Sequence, residues 1–197
     1  MMDNYVYDLF FSYRRVNIPE EKEYGLRWIR TFKSRIAYWL HLELGYEPKI
    51  FFDEAIETGQ IWRDELKNGL KTAKVMVAIW NPPYFNSKWC CAEWQSFELR
   101  AQEVIGSKVL FPVKVFDGDN FPEKAKSREW KDYVALFSNE EYFWKGPKAL
   151  QLEDEVKVFS KLLAKSIRNP PQFSDFKLAP LPESSKVQPK VKLQNFT

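Results

Sequence analysis

Glu93 is the residue whose surroundings suggest chemistry most directly. The pattern around it predicts a helix from Asn86 or Ser87 to Ile105. On that helix Trp89 and Phe97 lie four residues either side of Glu93, and Cys90 and Ser96 lie three either side. A carboxylate there sits on a largely apolar, aromatic face, although spacing alone favours the plainer account of a solvated helix acid. It lies about two turns past Asn86, too deep to complement the helix dipole from the first turn. A second group, Ser12-Tyr13-Arg14-Arg15, follows an apolar aromatic stretch. Arginine offers paired donors to phosphate-type anions, and a surface ion pair is the plainer alternative. Ser12 and Tyr13 can line a ligand, although Tyr13 suits a core equally well. Asp53 ends another short apolar stretch, where an acid can bond a sugar hydroxyl or cap the following loop. Cys90 and Cys91 near a helix start could be nucleophiles, but no histidine lies near them in sequence. Small buried side chains are the simpler account.

Other chemistries are excluded by composition. The chain has 197 residues and a single histidine, His41, so multi-histidine metal sites are out. No metal or resident cofactor is expected. None of the seven glycines forms a dinucleotide fingerprint or a Walker loop. Adjacent cysteines rarely bridge without strain, so no disulfide framework is expected. A formal charge of +3 without a Lys/Arg run argues against a nucleic-acid partner. The longest apolar run, Val75 to Trp80, is far short of a membrane span. The acidic opening residues do not resemble a signal peptide. The expected location is cytoplasmic.

Strand and helix alternate along the chain. Strands are predicted at Val6–Tyr13, Ile50–Asp53, Lys74–Trp80, Lys108–Phe116 and Tyr133–Phe137. Helices are predicted at Glu23–Leu44, Ile61–Lys71, Asn86–Ile105 and Leu152–Ile167. Asn81-Pro82-Pro83 ends the third strand. The alternation predicts an α/β, flavodoxin-like, doubly wound five-stranded parallel sheet with helices on both faces. Ligands of such sheets bind beyond the carboxyl ends of the strands, where Ser12 to Arg15, Asp53 and Asn81 to Pro83 fall. Residues 1–169 form the expected domain. Residues 170–197 hold five of the twelve prolines and read as an extended or disordered tail. Trp28, Trp39, Trp80 and Trp94 fall in predicted helices or strands, which suits core packing better than ligand stacking.

Tyr7-Asp8-Leu9-Phe10-Phe11-Ser12-Tyr13-Arg14-Arg15 resembles the first signature of Toll/interleukin receptor (TIR) domains. Phe51-Phe52-Asp53, followed by Gly59 and Trp62, resembles their second strand and its loop. Ala73 to Trp80, with Trp89-Cys90-x-x-Glu93, resembles the third strand and the Trp-Cys-x-x-Glu helix. The resemblance covers about residues 5 to 168. Two segments depart from the common pattern, Asn17 to Tyr24 and Trp80-Asn81-Pro82-Pro83.

The resemblance, of bacterial NADase type, implies an NAD⁺ glycohydrolase or ADP-ribosyl cyclase that cleaves the nicotinamide–ribose bond. It would make an ADP-ribose-type signal or deplete NAD⁺ in an immune, antiphage response. Glu93 takes the catalytic position. Ser12, Tyr13, Arg14, Asp53, Trp89 and Cys90 are the expected substrate contacts, with Arg14 favoured over Arg15. NAD⁺ is then a substrate, not a cofactor. The Glu54 to Trp62 loop corresponds to a mobile segment and self-assembly surface. Expected partners are other copies of the chain and a separate effector that reads the product. The alternatives are a non-catalytic TIR–TIR scaffold or host-signalling mimic and, more remotely, a nucleoside deoxyribosyltransferase-like enzyme.

Overall fold

The structure is a computed structural model that describes residues 4–14, 26–52 and 60–183. Its elements are β1 (Tyr7–Ser12), α1 (Leu26–Leu44), β2 (Ile50–Phe52), α2 (Gln60–Thr72), β3 (Ala73–Trp80), α3 (Pro82–Phe85) and α4 (Lys88–Glu103). β4 (Leu110–Lys114), α5 (Glu123–Lys126), β5 (Lys131–Asp132), a 3-10 turn (Val134–Leu136), α6 (Glu141–Lys145) and α7 (Pro147–Arg168) follow. The strands form one parallel sheet in the order β2-β1-β3-β4-β5. This is the flavodoxin-like arrangement that the alternation predicts.

Strand parity divides the core into two layers, because successive strand side chains point to opposite faces. Leu9 and Phe11 of β1, Val75, Val77 and Ile79 of β3, and Phe111 and Val113 of β4 face α1 and α7. There they meet Trp28, Phe32, Ile36 and Leu40 of α1 and Leu152, Val156 and Phe159 of α7. Phe10, Met76, Ala78, Trp80 and Leu110 face the other way, toward Leu66 and Leu70 of α2 and Trp94 and Phe97 of α4. Each such fully buried side chain is worth roughly 1.5–3 kcal/mol of transfer free energy. Both faces being covered explains why the strands read as continuous apolar runs. α2 approaches β2 so closely that a Cβ at Gly69 would stand 2.7 Å from the Phe51 ring, so a larger residue there must displace the ring. Trp28, Trp80 and Trp94 are buried and Trp39 is half-buried.

Several element bounds differ from the predictions. The fifth strand is Lys131–Asp132, not Tyr133–Phe137. Val134–Leu136 forms a 3-10 turn, with the Trp28 indole donating to the Leu136 carbonyl at 2.7 Å. Tyr133 and Leu136 are apolar because they pack against α1, not because they alternate along a strand. The fourth strand is shorter than 108–116, and the last helix starts earlier, at Pro147. Pro112 is accommodated in β4 because Val109 and Val115 pair with β3, so even positions face β5. Its missing N–H therefore falls on the outer side of the strand.

Residues 170–183 have no helix or strand but lie against α2 and α4. The Tyr5 hydroxyl donates to the Pro171 carbonyl, Lys71 pairs with Asp175, and the Ala179 amide donates to Ser96 Oγ at 3.0 Å. Phe176 and Ala179 are buried.

Candidate active site

The site forms where β1, α3 and α4 converge, and short local rules place each side chain. Asn81 caps α3: its side chain accepts from the Tyr84 amide at 2.9 Å, with Pro82 and Pro83 in the first turn. Pro-Pro therefore ends β3 by starting a helix, not by opening a loop. That single turn delivers the Tyr84 side chain to the end of β1. Ser87 caps α4 in the same way, accepting from the Cys90 amide at 3.3 Å. Glu93 then lies on the face of α4 that packs on the sheet.

Ser12 is an even residue of β1, so it projects toward α4. Its Oγ donates to Glu93 Oε2 at 2.5 Å and lies 2.8 Å from the Tyr84 hydroxyl. The first distance is at the short end of charge-assisted O–H···O⁻ bonds. Glu93 is 8% exposed, a buried acid at the carboxyl end of the sheet. Burial foremost, then the neighbouring Cys90 and Glu93, pushes the Tyr84 phenol well above its ordinary range.

Cys90 is buried beside the same group, and its Sγ contacts the Tyr13 carbonyl at 3.6 Å. Burial first, and the Glu93 charge second, drive its thiol far up. Arg14 acts in the opposite sense on that thiol, so its charge reaches the site. A thiol held neutral in this way is unsuited to nucleophilic attack. Trp89 is half-buried, its ring 4.4 Å from that of Trp62 in an edge-to-face contact. Tyr13 has the opposite parity to Ser12. Its ring stacks on Phe52 at 5.0 Å in the α1–α7 layer, so its backbone, through Cys90, is the part that touches the site group.

Of the predicted site residues, Ser12, Glu93 and Cys90 come together, with Arg14 near them and Trp89 beside Trp62. Asp53, Arg15, residues 17–24 and the 54–59 segment of the loop lie outside the described residues. Tyr84 is the site residue that the sequence reading passed over. The signal was present in Asn81-Pro82-Pro83, an N-cap followed by two first-turn prolines, which implies a helix whose next residue turns back over the strand end. Among the described residues, no group of three His, Cys, Asp or Glu side chains could hold a metal ion. No helix among them is long and apolar enough to cross a membrane.

A family model of the TIR domain matches residues 29–145. The chain belongs to the TIR domain family, which includes both NAD⁺-cleaving enzymes and assembly scaffolds. Among solved structures it is similar to the TIR domain of the Toll-related receptor TRR-2 from Hydra magnipapillata. That match has 14% identity and a TM-score of 0.43, covering 77% of this chain and 99% of that one. It is also similar to the TIR domains of the activated Roq1 resistosome, which directly recognises the pathogen effector XopQ. There the identity is 20% and the TM-score 0.39, with 83% and 96% covered. No curated protein matches the sequence.

Proposed function

We propose that this TIR domain cleaves NAD⁺ at the nicotinamide–ribose bond, with Glu93 as the catalytic residue. The observation that carries the reading is a buried carboxylate, held by Ser12 at 2.5 Å, at the carboxyl end of the sheet. The pyridinium leaves as neutral nicotinamide when the C1′–N1 bond breaks and its electron pair returns to the ring nitrogen. No general acid is required, so one carboxylate suffices where ordinary glycosidases use two. Glu93 stabilises the positive charge that develops on the ribose ring, and a fixed carboxylate away from bulk water does so without reorganisation. Water adds at C1′ and releases its proton, giving ADP-ribose; capture by the adenine instead gives a cyclic isomer. Arg14 is the candidate partner for the pyrophosphate. In this reading the product, or the loss of NAD⁺, is a cytoplasmic immune signal, and self-association controls it.

The test is chromatographic. Purified protein at high concentration is incubated with NAD⁺, and nicotinamide is followed with mass detection. Release that disappears in Glu93→Gln supports the reading. No release from the wild type, alone or in the presence of an agent that enforces self-association, rejects it in favour of the scaffold. Base exchange on deoxynucleosides would instead identify the transferase alternative.

A further inference from the structure

Serine has one hydroxyl proton, and Ser12 directs it at Glu93 Oε2. The Tyr84 hydroxyl lies 2.8 Å from the same serine oxygen. With the serine proton already committed, the phenol is the donor in that contact. The chain of donation therefore runs from Tyr84 to Ser12 to Glu93. Its polarity has a fixed origin, because the buried phenol keeps its proton throughout the neutral range. The fold also fixes its geometry. The Asn81 cap and the two prolines set Tyr84, and the parity of β1 sets Ser12.

We propose that Tyr84 is a positioning residue for Glu93, acting through Ser12: the phenol locks the serine hydroxyl as a donor, which holds the carboxylate ionised and in one orientation. Its importance for turnover rests on the catalytic reading of Glu93. The arrangement itself belongs to the resting protein and can be measured there. Among the described residues, Cys90 and Cys91 on α4 interact electrostatically with the carboxylate, and Arg14 beyond β1 acts on Cys90. All three remain when Tyr84 or Ser12 is changed, so they form a constant background.

The experiment titrates Glu93 in the unliganded protein by NMR of ¹³C-labelled glutamate carboxyls, with Glu93→Gln assigning the signal. Tyr84→Phe keeps the ring that packs at 5.4 Å against Phe85 and removes only the hydroxyl. Its Glu93 midpoint is expected to rise by about one unit, a tenfold change in proton affinity. Ser12→Ala should raise it at least as much, and Ser12→Thr, which keeps a hydroxyl, should return it toward the wild type. The double variant Tyr84→Phe/Ser12→Ala should match Ser12→Ala alone, because the phenol acts only through the serine. In NAD⁺ turnover by Tyr84→Phe the acidic limb of the pH profile should move up equally, with KM unchanged within about twofold. An unmoved midpoint in Ser12→Ala, or in folded Tyr84→Phe, overturns the proposal, as do additive shifts in the double variant. If the wild type cleaves no NAD⁺, the enzymatic reading falls and the titration alone judges the relay.

Discussion

Helix α4 buries two glutamates five positions apart, and they are treated in opposite ways. Glu98 is 0% exposed and is paired with Arg128, with Lys124 Nζ 4.0 Å away. Cations are thus brought to it from α5 and the residues that follow. Glu93 is almost as buried, yet the contact that defines its site is a serine hydroxyl backed by a phenol. The printed contacts of the two acids therefore differ in kind: a guanidinium from another element at Glu98, a strand hydroxyl at Glu93. The same helix thus joins one acid to a cation near α5 and the other to the end of β1. Arg100 completes the pattern on the cationic side. Its guanidinium donates to the carbonyls of Ala73 at 2.6 Å and of Leu70 at 2.5 Å, and lies over Phe97 and Phe176. Burial holds that group down at about 10.

The contrast breaks if the two acids respond alike to neutralisation. Glu93→Gln should lower NAD⁺ cleavage by about a thousandfold or more, on the scale of lost electrostatic stabilisation at a reacting centre. Its melting temperature should stay close to that of the wild type. A stable Glu93→Gln protein with undiminished turnover would erase the distinction. Arg100→Met should do the reverse, costing about 3 kcal/mol in urea unfolding because buried carbonyls lose their donor. Phe176→Ala, which strips the cover from Arg100, should cost about 2–3 kcal/mol. A negligible loss would mean that residues 170–183 contribute little to stability. Glu98→Gln should cost only about 1–2 kcal/mol, because its half-exposed partner Arg128 can turn to water. Turnover should remain within about twofold of the wild type.

The smallest expected effect concerns pH. The Cys90 thiol is raised above its ordinary 9.0 in the folded chain. Folded protein then holds a proton that unfolded protein releases, so stability is full below about pH 9 and declines as pH rises above it. The Tyr84 and Tyr133 phenols, also raised chiefly by burial, add to the decline from about pH 10 upward. Cys90→Ala should flatten the earlier part of that decline in thermal melts taken between pH 8 and 10.

How much of this was legible beforehand follows from which forces act locally. The sheet and its alternation could be read because the strands are buried on both faces and carry long apolar runs. Helical spacing related Glu93 to Trp89 and Phe97, but spacing alone favoured a solvated acid, and its burial became visible only in the fold. Tyr133 to Phe137 misled because burial against α1 leaves the same composition as a strand. Ser12 and Tyr13 were equivalent until the parity of β1 was known; only then did one turn to the acid and the other to Phe52. The meeting of Tyr84 with Ser12 spans 72 positions, and no local pattern encodes such a contact.

Pro112 has a consequence beyond β4. The partner on that strand's outer side is only two residues long, although Leu110 to Val113 of β4 are buried. A proline at the border supplies no amide to an incoming strand, and its ring obstructs one. Fibril-like zippering along that margin is thereby discouraged. A second copy of the chain that met this margin would therefore find an incomplete strand template there.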